Sequence, residues 1–351
     1  MTRQINVRNI IIGGGAPVSI QSMTNTPTED PIRTAEQIRQ LQEAGCEIVR
    51  IAVPNMRAAD SVKEIRAMTD MPLVADIHFD HRLALKAVEN GIDKIRINPG
   101  NIGDDGKVRE VAYACAEKGI PIRIGVNAGS LEKRLLEKYG GPTAEAMVES
   151  AFDHIAMLEK QGFFDICVSL KASSVPLTMA AYRLMSERSD YPLHLGVTEA
   201  GTEEMGVVKS AMGIGGLLCL GIGDTLRVSL SEDPVKEIAA AKRILTAAGL
   251  RRFGPEVISC PTCGRTKIDL FGLAKDVQKR LEGFTEPITV AVMGCVVNGP
   301  GEASHADVGI AGGDGVGAVF AGGKLLRTVP QDTLADELMI EIHRMIGEKN
   351  E

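Results

Sequence analysis

Three short apolar runs indicate the fold of this chain: KIRINPG at residues 94–100, PIRIGVN at 121–127 and DICVSLK at 165–171. Runs of this length, rich in β-branched residues, are typical of buried strands. The same criterion predicts five further strands, at 18–23, 47–53, 73–79, 193–200 and 217–225. Each run is followed by a stretch of helical periodicity, as at 60–69 and 233–248.

The alternation of strand and helix predicts an α/β protein with a parallel sheet. Eight units in about 230 residues match a (β/α)8 TIM barrel, and we assign residues 1–250 to this domain. A doubly wound open sheet is the alternative architecture.

Polar residues collect near the carboxyl ends of the predicted strands, where barrel enzymes place their sites. In chain order they are Arg50, Asp76 with His78, Arg96 with Asn98, Arg123 with Asn127, Ser169 with Lys171, Thr198 with Glu199, and Asp224 with Arg227. Four arginines and a lysine around one cavity need compensating anions, so this cationic ring predicts binding of a small anion such as a diphosphate. Taken singly, each arginine could instead form a salt bridge at the rim, and His78 could be structural. Glu199 is a candidate proton donor among these cations.

The composition changes after residue 255. Strands are predicted at 256–259, 287–293, 307–311, 316–320 and 324–328, with helices at 268–281 and 332–346. We assign 256–351 to a small α/β domain. The glycine-rich segment 312–317 is predicted to be a turn between strands, because its Gly-x-Gly-like spacing lacks a following helix.

This second domain carries three cysteines at metal-ligand spacing, Cys260, Cys263 and Cys295. Three thiolates leave one coordination position open on an iron-sulfur cluster or a zinc ion. One alternative is a structural zinc site in which His305 is the fourth ligand, and the other is a disulfide. The other four cysteines lie in apolar runs and are interpreted as small buried side chains: Cys46, Cys115, Cys167 and Cys219.

Composition argues against a nucleic-acid-binding surface. The net charge is -7, tryptophan is absent and aromatic residues make up only 3%. The apolar stretch at the amino terminus is too short for a signal peptide. No run of about 18 apolar residues suggests a membrane span. We therefore expect a cytoplasmic protein.

Seven sequence strings resemble one family, the bacterial 4-hydroxy-3-methylbut-2-enyl diphosphate synthases of isoprenoid biosynthesis. They are VRIAVP (49–54), RINPGN (96–101), RIGVN (123–127), SLKAS (169–173), LGVTEAG (195–201), CPTCGRT (260–266) and MGCVVNGPGE (293–302). The resemblance covers nearly the whole chain and implies the two-domain bacterial form. It also implies a [4Fe-4S] cluster bound by Cys260, Cys263, Cys295 and the carboxylate of Glu302.

The resemblance implies an iron-sulfur oxidoreductase that converts 2-C-methyl-D-erythritol 2,4-cyclodiphosphate to (E)-4-hydroxy-3-methylbut-2-enyl diphosphate. Glu199 and Glu302 are the expected catalytic residues, and no flavin or nicotinamide motif is present, so flavodoxin or ferredoxin would supply electrons. The expected substrate-binding residues are Arg50, His78, Arg96, Arg123, Asn127, Lys171, Arg227 and Ser229. Two other functions stay open: a phosphate-binding barrel lyase or isomerase with structural zinc, and a non-enzymatic electron carrier.

Barrel geometry also predicts a shared active site. The last barrel helix should end near Ala248 at the amino face, opposite the cationic ring, and the linker 249–255 is short. We therefore expect a head-to-tail homodimer in which each cluster domain covers the partner's barrel, an arrangement that the resemblance also implies.

Overall fold

The computed structural model describes residues 1–295 and 306–349, with side chains described to residue 347. The chain forms two compact units, Met1–Arg251 and Arg252–Glu351. Among the described helices, none is long and apolar enough to cross a membrane.

The first unit is built on eight parallel strands. They are β3 (Ser19–Met23), β4 (Ile48–Ala52), β5 (Leu73–Asp76), β6 (Lys94–Ile97), β7 (Ile122–Asn127), β8 (Ile166–Lys171), β9 (His194–Leu195) and β10 (Thr225–Leu226). Their order around the sheet is β8-β7-β6-β5-β4-β3-β10-β9. A single parallel bridge, Val168 to Leu193, joins the two ends, so the sheet closes and the predicted TIM barrel is confirmed.

The closing seam between β8 and β9 is bridged by a side chain. The hydroxyl of the buried Tyr182 accepts a hydrogen bond from Leu170 N at 3.1 Å and donates one to His194 O at 2.5 Å. The phenol hydroxyl therefore forms the hydrogen bonds that these two backbone groups would form with each other's strands in a regular parallel sheet.

Helices cover the barrel from outside. They are α1 (Pro31–Glu43), α2 (Met56–Met68), α3 (His81–Glu89), α4 (Pro99–Ile102), α5 (Asp105–Lys118), α6 (Lys133–Tyr139), α7 (Ala144–Glu159), α8 (Val175–Arg188), α9 (Glu203–Ser210), α10 (Gly216–Cys219) and α11 (Pro234–Ala247). Side chains of Asp30, Asn55, Ser174 and Asp233 accept a hydrogen bond from a first-turn amide, which explains where those helices begin.

The amino end of the barrel is closed by an antiparallel hairpin of β1 (Ile5–Val7) and β2 (Ile10–Ile12). Its buried side chains pack on residues from the amino ends of the barrel strands. The cluster consists of Ile5, Val7, Ile12, Ile48, Val74 and Cys167. This hairpin, which was not predicted, forms an apolar floor under the barrel.

Four of the predicted barrel strands need correction. Two of them are shorter than predicted, because the strand within 73–79 is Leu73–Asp76 and that within 193–200 is His194–Leu195. Within 217–225 the segment Gly216–Cys219 is helical, following a π-helical turn at Ala211–Gly215, and the strand is Thr225–Leu226. A short apolar run is compatible with a helix as well as with a strand, so its periodicity could not distinguish the two structures there. The strand predicted at 94–100 ends at Ile97 because Pro99 begins α4.

The second unit contains a five-stranded mixed sheet. Its strands, in spatial order, are β11 (Glu256–Ser259), β12 (Thr289–Met293), β13 (Val308–Gly312), β14 (Val316–Ala321) and β15 (Lys324–Pro330). The first three are parallel and the last three antiparallel. Helices α12 (Leu270–Arg280) and α13 (Leu334–Lys349) pack on this sheet, and the turn predicted between β13 and β14 is confirmed.

Candidate active site and cysteine centre

The carboxyl end of the barrel carries a buried carboxylate surrounded by cations. Asp76 Oδ1 lies 3.4 Å from Arg96 Nη1, while Asp76 Oδ2 lies 3.9 Å from Arg50 Nε and 3.4 Å from His78 Nε2. Burial raises the pKa of Asp76, but Arg50 and the hydrogen bond with His78 outweigh it and hold the pKa below its usual range. Asp76 is therefore ionised and neutralises only part of the ring.

Glycines make room for two of the cations. Arg96 Nη2 donates to Gly125 O at 3.0 Å, and a Cβ atom on Gly125 would overlap the Arg96 guanidinium. A Cβ atom on Gly196 would lie 2.6 Å from Lys171 Nζ. Both strand positions need glycine because the cationic side chains lie directly over the backbone.

Lys171 and Arg123 are buried without enough opposite charge. Burial first, and then repulsion from Arg123 and Arg50, hold the pKa of Lys171 below its ordinary range. Burial and the nearby Arg96 lower the pKa of Arg123 to about 10. An entering anion relieves both effects, so these residues are suited to bind a multiply charged ligand.

Arg227 has a dedicated partner that the sequence did not reveal. Its Nε and Nη2 donate to the two carboxylate oxygens of Glu237 on α11, at 3.1 and 3.0 Å. Glu237 is buried and also accepts a hydrogen bond from Ser22 Oγ at 2.7 Å. Arg227 Nη1 remains directed at Met23 Sδ, 3.5 Å away, which Arg50 Nε also approaches at 3.0 Å. Glu237 thus orients Arg227 and neutralises part of the positive charge that Arg227 could otherwise offer to a ligand.

The remaining predicted residues lie at the same end of the barrel. Asn127 ends β7 and is paired in register with Lys171, and Ser229 is half-buried two residues after Arg227. Glu199 is exposed and has a φ of 52°, a left-handed conformation that only Arg8 shares among the described non-glycine residues. Such strained backbone is common at functional sites. Asp224, predicted here, lies instead at the amino end, where Leu193 N donates to it.

The cysteines of the second unit follow neighbouring parallel strands. Cys260 comes directly after β11 and Cys295 two residues after β12, and Ser259 pairs in register with Val292. Gly294 N donates to Cys260 Sγ at 3.3 Å, so the two strand ends are in contact. The loop after Cys260 folds back onto this edge through Lys267 N, which donates to Gly294 O at 3.3 Å.

The chemistry of these thiols fits a soft metal centre. Hydrogen bonds from Arg265 lower the pKa of the exposed Cys263, which favours the thiolate form that binds metal. Within the described residues, no three His, Cys, Asp or Glu side chains are grouped closely enough to hold a metal ion. Glu302 and His305, the predicted and alternative fourth ligands, lie outside those residues.

The other cysteines behave as expected except for one. Cys46, Cys115 and Cys167 are buried, whereas Cys219 is exposed at the end of α10, and all seven cysteines of the chain are free thiols. The prediction for Cys219 was wrong because the apolar run that contains it is a surface helix rather than a barrel strand.

The fold and the site together define a two-domain TIM-barrel protein with a cationic barrel mouth and a thiol-bearing second domain. Residues 2–242 match the model of the GcpE TIM-barrel domain, and residues 256–344 match that of the GcpE protein C-terminal domain. The chain belongs to the GcpE family.

Curated relatives are similar to this chain over its whole length. The protein from Caldanaerobacter subterraneus subsp. tengcongensis is 59% identical and covers 99% of this chain and 98% of its own. That from Geobacter sulfurreducens is 58% identical and covers 99% of both chains. Both bear the name 4-hydroxy-3-methylbut-2-en-1-yl diphosphate synthase (flavodoxin).

Two solved structures align with about seven tenths of this chain. Dihydropteroate synthase from Stenotrophomonas maltophilia aligns with a TM-score of 0.52 at 13% identity, covering 71% of this chain and 100% of that chain. A phospho-2-dehydro-3-deoxyheptonate aldolase from Thermotoga maritima aligns with a TM-score of 0.53 at 13% identity, covering 72% and 75%. These similarities show the fold alone.

Proposed function

We propose that this protein reduces 2-C-methyl-D-erythritol 2,4-cyclodiphosphate to (E)-4-hydroxy-3-methylbut-2-enyl diphosphate. The observation that carries this proposal is the excess positive charge buried at the carboxyl end of one barrel, supplied by separate strands. The names of the full-length relatives support it. In this reaction two electrons and two protons enter, the ring C–O bond opens, and one oxygen leaves as water.

The cationic ring binds the diphosphate. Arg50, Arg96, Arg123, Lys171 and Arg227 surround it, while Asn127, Ser229 and His78 provide further hydrogen-bonding groups at the rim. Opening of the ring places additional charge on a phosphate oxygen, and preorganised cations stabilise that charge as it develops. Glu237 holds Arg227 in place, so one cation is fixed before the substrate enters.

A [4Fe-4S] cluster held by Cys260, Cys263, Cys295 and Glu302 would supply the two electrons one at a time. Glu199 is the proposed proton donor, because it is an exposed carboxylate held in a strained conformation at the barrel end that carries the ring. Carboxylate binds a soft iron centre less strongly than thiolate does, so Glu302 would be the weakest of the four residues that hold the cluster.

Electrons come from a separate carrier, flavodoxin or ferredoxin, and flavodoxin is the carrier in the names of the relatives. We place the protein in the cytoplasm, where free thiols stay reduced.

We also propose a head-to-tail homodimer. Arg251, the last residue of the barrel unit, donates to Val18 O and to Glu47, and both lie at the amino ends of strands. The chain therefore leaves the barrel opposite the cationic ring, and a second copy can provide the cluster domain that covers it.

Anaerobic purification with iron and sulfide analysis, followed by turnover of the cyclodiphosphate with reduced flavodoxin, tests the proposed function. We expect bound iron and sulfide, broad absorption near 400 nm and formation of the linear diphosphate. Cys295→Ser should lose most of the iron, whereas Glu302→Ala should retain more iron but lose turnover. A colourless zinc protein that is inactive on the cyclodiphosphate would favour the barrel lyase or isomerase instead.

A further inference from the structure

A second set of polar side chains lies inside the barrel, below the cationic ring. Residues two apart in a strand face the same side and are separated by about 7 Å along it. This set is drawn from the buried polar residues that precede residues of the barrel mouth by two positions. It comprises Gln21 below Met23, Lys94 below Arg96 and His194 below Gly196.

The polar atoms of this layer are unpaired. Among the described residues, no hydrogen-bond partner is found for Lys94 Nζ, for either ring nitrogen of His194 or for either amide atom of Gln21. Arg123, which is also buried, has the same deficit at Nε and Nη1. Buried polar groups are nearly always paired, so a cluster of unpaired ones indicates a missing partner. We call Gln21, Lys94 and His194, together with the unpaired Nε and Nη1 of Arg123 from the cationic ring above them, the lower polar layer.

The cationic members of this layer act on one another. Burial, followed by repulsion from Arg123, Lys171 and Lys94, holds the pKa of His194 below its ordinary range, so this ring is neutral. Burial lowers the pKa of Lys94 to about 8 and that of Arg123 to about 10. Both groups still carry their charge at pH 7, and each repels the other.

Carboxylates that act on the layer are occupied elsewhere. Asp76 is engaged by Arg50 and Arg96 at the barrel mouth. Asp224, at the amino end, accepts hydrogen bonds from Thr2 Oγ1 at 2.5 Å and from Leu193 N at 2.8 Å. Within the described residues, two charged groups therefore lie desolvated without a carboxylate of their own, an arrangement that is unfavourable unless a counter-ion is present.

The layer is closed from below. Cys167 and the apolar side chains of the hairpin β1–β2 form the floor, and burial raises the pKa of the Cys167 thiol, which keeps it neutral. Solvent ions cannot screen the layer from that side.

We propose that the lower polar layer holds a small inorganic anion of the halide class, bound by Lys94 and Arg123, which lie on the neighbouring strands β6 and β7. Such an anion accepts hydrogen bonds from ammonium and guanidinium donors, and neutralises the charge that the described residues do not themselves compensate. It would be distinct from the diphosphate at the barrel mouth, and would hold Arg123 in position from below.

Thermal unfolding in chloride and in gluconate tests this proposal. Full-length protein, purified anaerobically and free of substrate, is compared at equal ionic strength with each salt. We expect the Tm of the wild type to rise by several degrees with chloride and not with gluconate, because chloride binds the folded state. Lys94→Met should lower the Tm in chloride and lose the chloride response. The matched control Lys63→Met, on the exposed face of α2, should respond like the wild type.

Equal Tm values in the two salts for the wild type would overturn the proposal. So would a Lys94→Met protein that is more stable than the wild type in both salts, because this means that the amine is buried without a counter-ion. If Lys94→Met does not fold, wild-type crystals grown in bromide decide: an anomalous peak within hydrogen-bond distance of Lys94 Nζ is expected, and water or empty density there contradicts the site. None of these measurements depends on turnover of the cyclodiphosphate.

Discussion

Single side chains determine how much free positive charge the barrel mouth offers. Arg227 is paired with Glu237 and Arg50 shares Asp76. Lys171 forms no ion pair within the described part of the chain, and burial, Arg123 and Arg50 destabilise its charged form. Strand-end positions in the sequence placed these cations at the carboxyl end of the barrel, where the structure also has them, and their role in binding stays a prediction. They did not predict Glu237, because a glutamate in the first turn of a helix is usually exposed, and only the tertiary structure places it against Arg227.

Lys171 depends on the glycine beneath it. A methyl group at position 196 would lie 2.6 Å from Lys171 Nζ and would displace the ammonium from its place over β9. Gly196→Ala should therefore raise KM for the cyclodiphosphate about tenfold, the effect of losing about 1.4 kcal/mol of binding. Gly129→Ala is the matched control, because nothing lies within 4 Å of its Cβ position. Equal KM values for the two variants would show that Lys171 does not contact substrate from this position.

His154 makes a pH-dependent contact with α4, the short helix that follows β6. Its Nδ1 accepts a hydrogen bond from Gly100 N at 3.1 Å, and its Nε2 lies 3.1 Å from Glu132 Oε1. Burial lowers the pKa of His154 and outweighs Glu132, which raises it. The folded state thus favours the neutral ring, and its stabilising contribution is complete above about pH 6.5 and declines as the pH falls below that value.

We expect the Tm of the wild type to fall more steeply between pH 7 and pH 5.5 than that of His154→Gln, whose amide does not titrate. Thermal melts of both proteins at matched ionic strength measure this difference. Parallel curves would mean that His154 contributes nothing to the pH dependence of stability.

Among the elements, the bounds of β8 could be predicted from the sequence pattern, whereas those of β9 could not. Alternating runs predicted β8 within a residue, because it is long and paired along its length with β7. β9 and β10 have only two residues each, and β9 meets β8 through one bridge and a tyrosine hydroxyl. No local pattern encodes such a seam, since Tyr182 belongs to a helix and its partners to two strands.

Tyr182→Phe removes both hydrogen bonds at this seam and leaves Leu170 N and His194 O unpaired in the interior. We expect a loss of about 1–3 kcal/mol in the free energy of unfolding, measured by urea titration. Because Lys171 is the last residue of β8, KM for the cyclodiphosphate should rise as well. Tyr113→Phe, at an exposed position on α5, is the control and should change neither quantity. An unchanged free energy of unfolding in Tyr182→Phe would show that water replaces the hydroxyl without cost.

At the scale of the whole molecule, the proposed dimer requires that residues of two chains form each active site. If the barrel of one chain works with the cysteine domain of another, two inactive variants can restore a site together. Lys171→Ala lacks a barrel cation and Cys295→Ser lacks a cluster ligand, and mixed dimers would contain one intact barrel and one intact cluster domain. After subunit exchange, turnover should recover to about a quarter of the wild-type rate if half the dimers are mixed and each has one competent site. No recovery despite exchange verified by mass spectrometry would favour a site within each chain.

In the proposed function, the cationic ring binds the diphosphate while other groups carry out the chemistry. Steady-state kinetics of Lys171→Ala and Glu199→Gln with the cyclodiphosphate test it most directly. The ring cation acts on the bound anion, so Lys171→Ala should raise KM at least tenfold, whereas Glu199→Gln should lower kcat with little change in KM because a proton donor is lost. An unchanged KM in Lys171→Ala, or an unchanged kcat in Glu199→Gln, would contradict this division of roles.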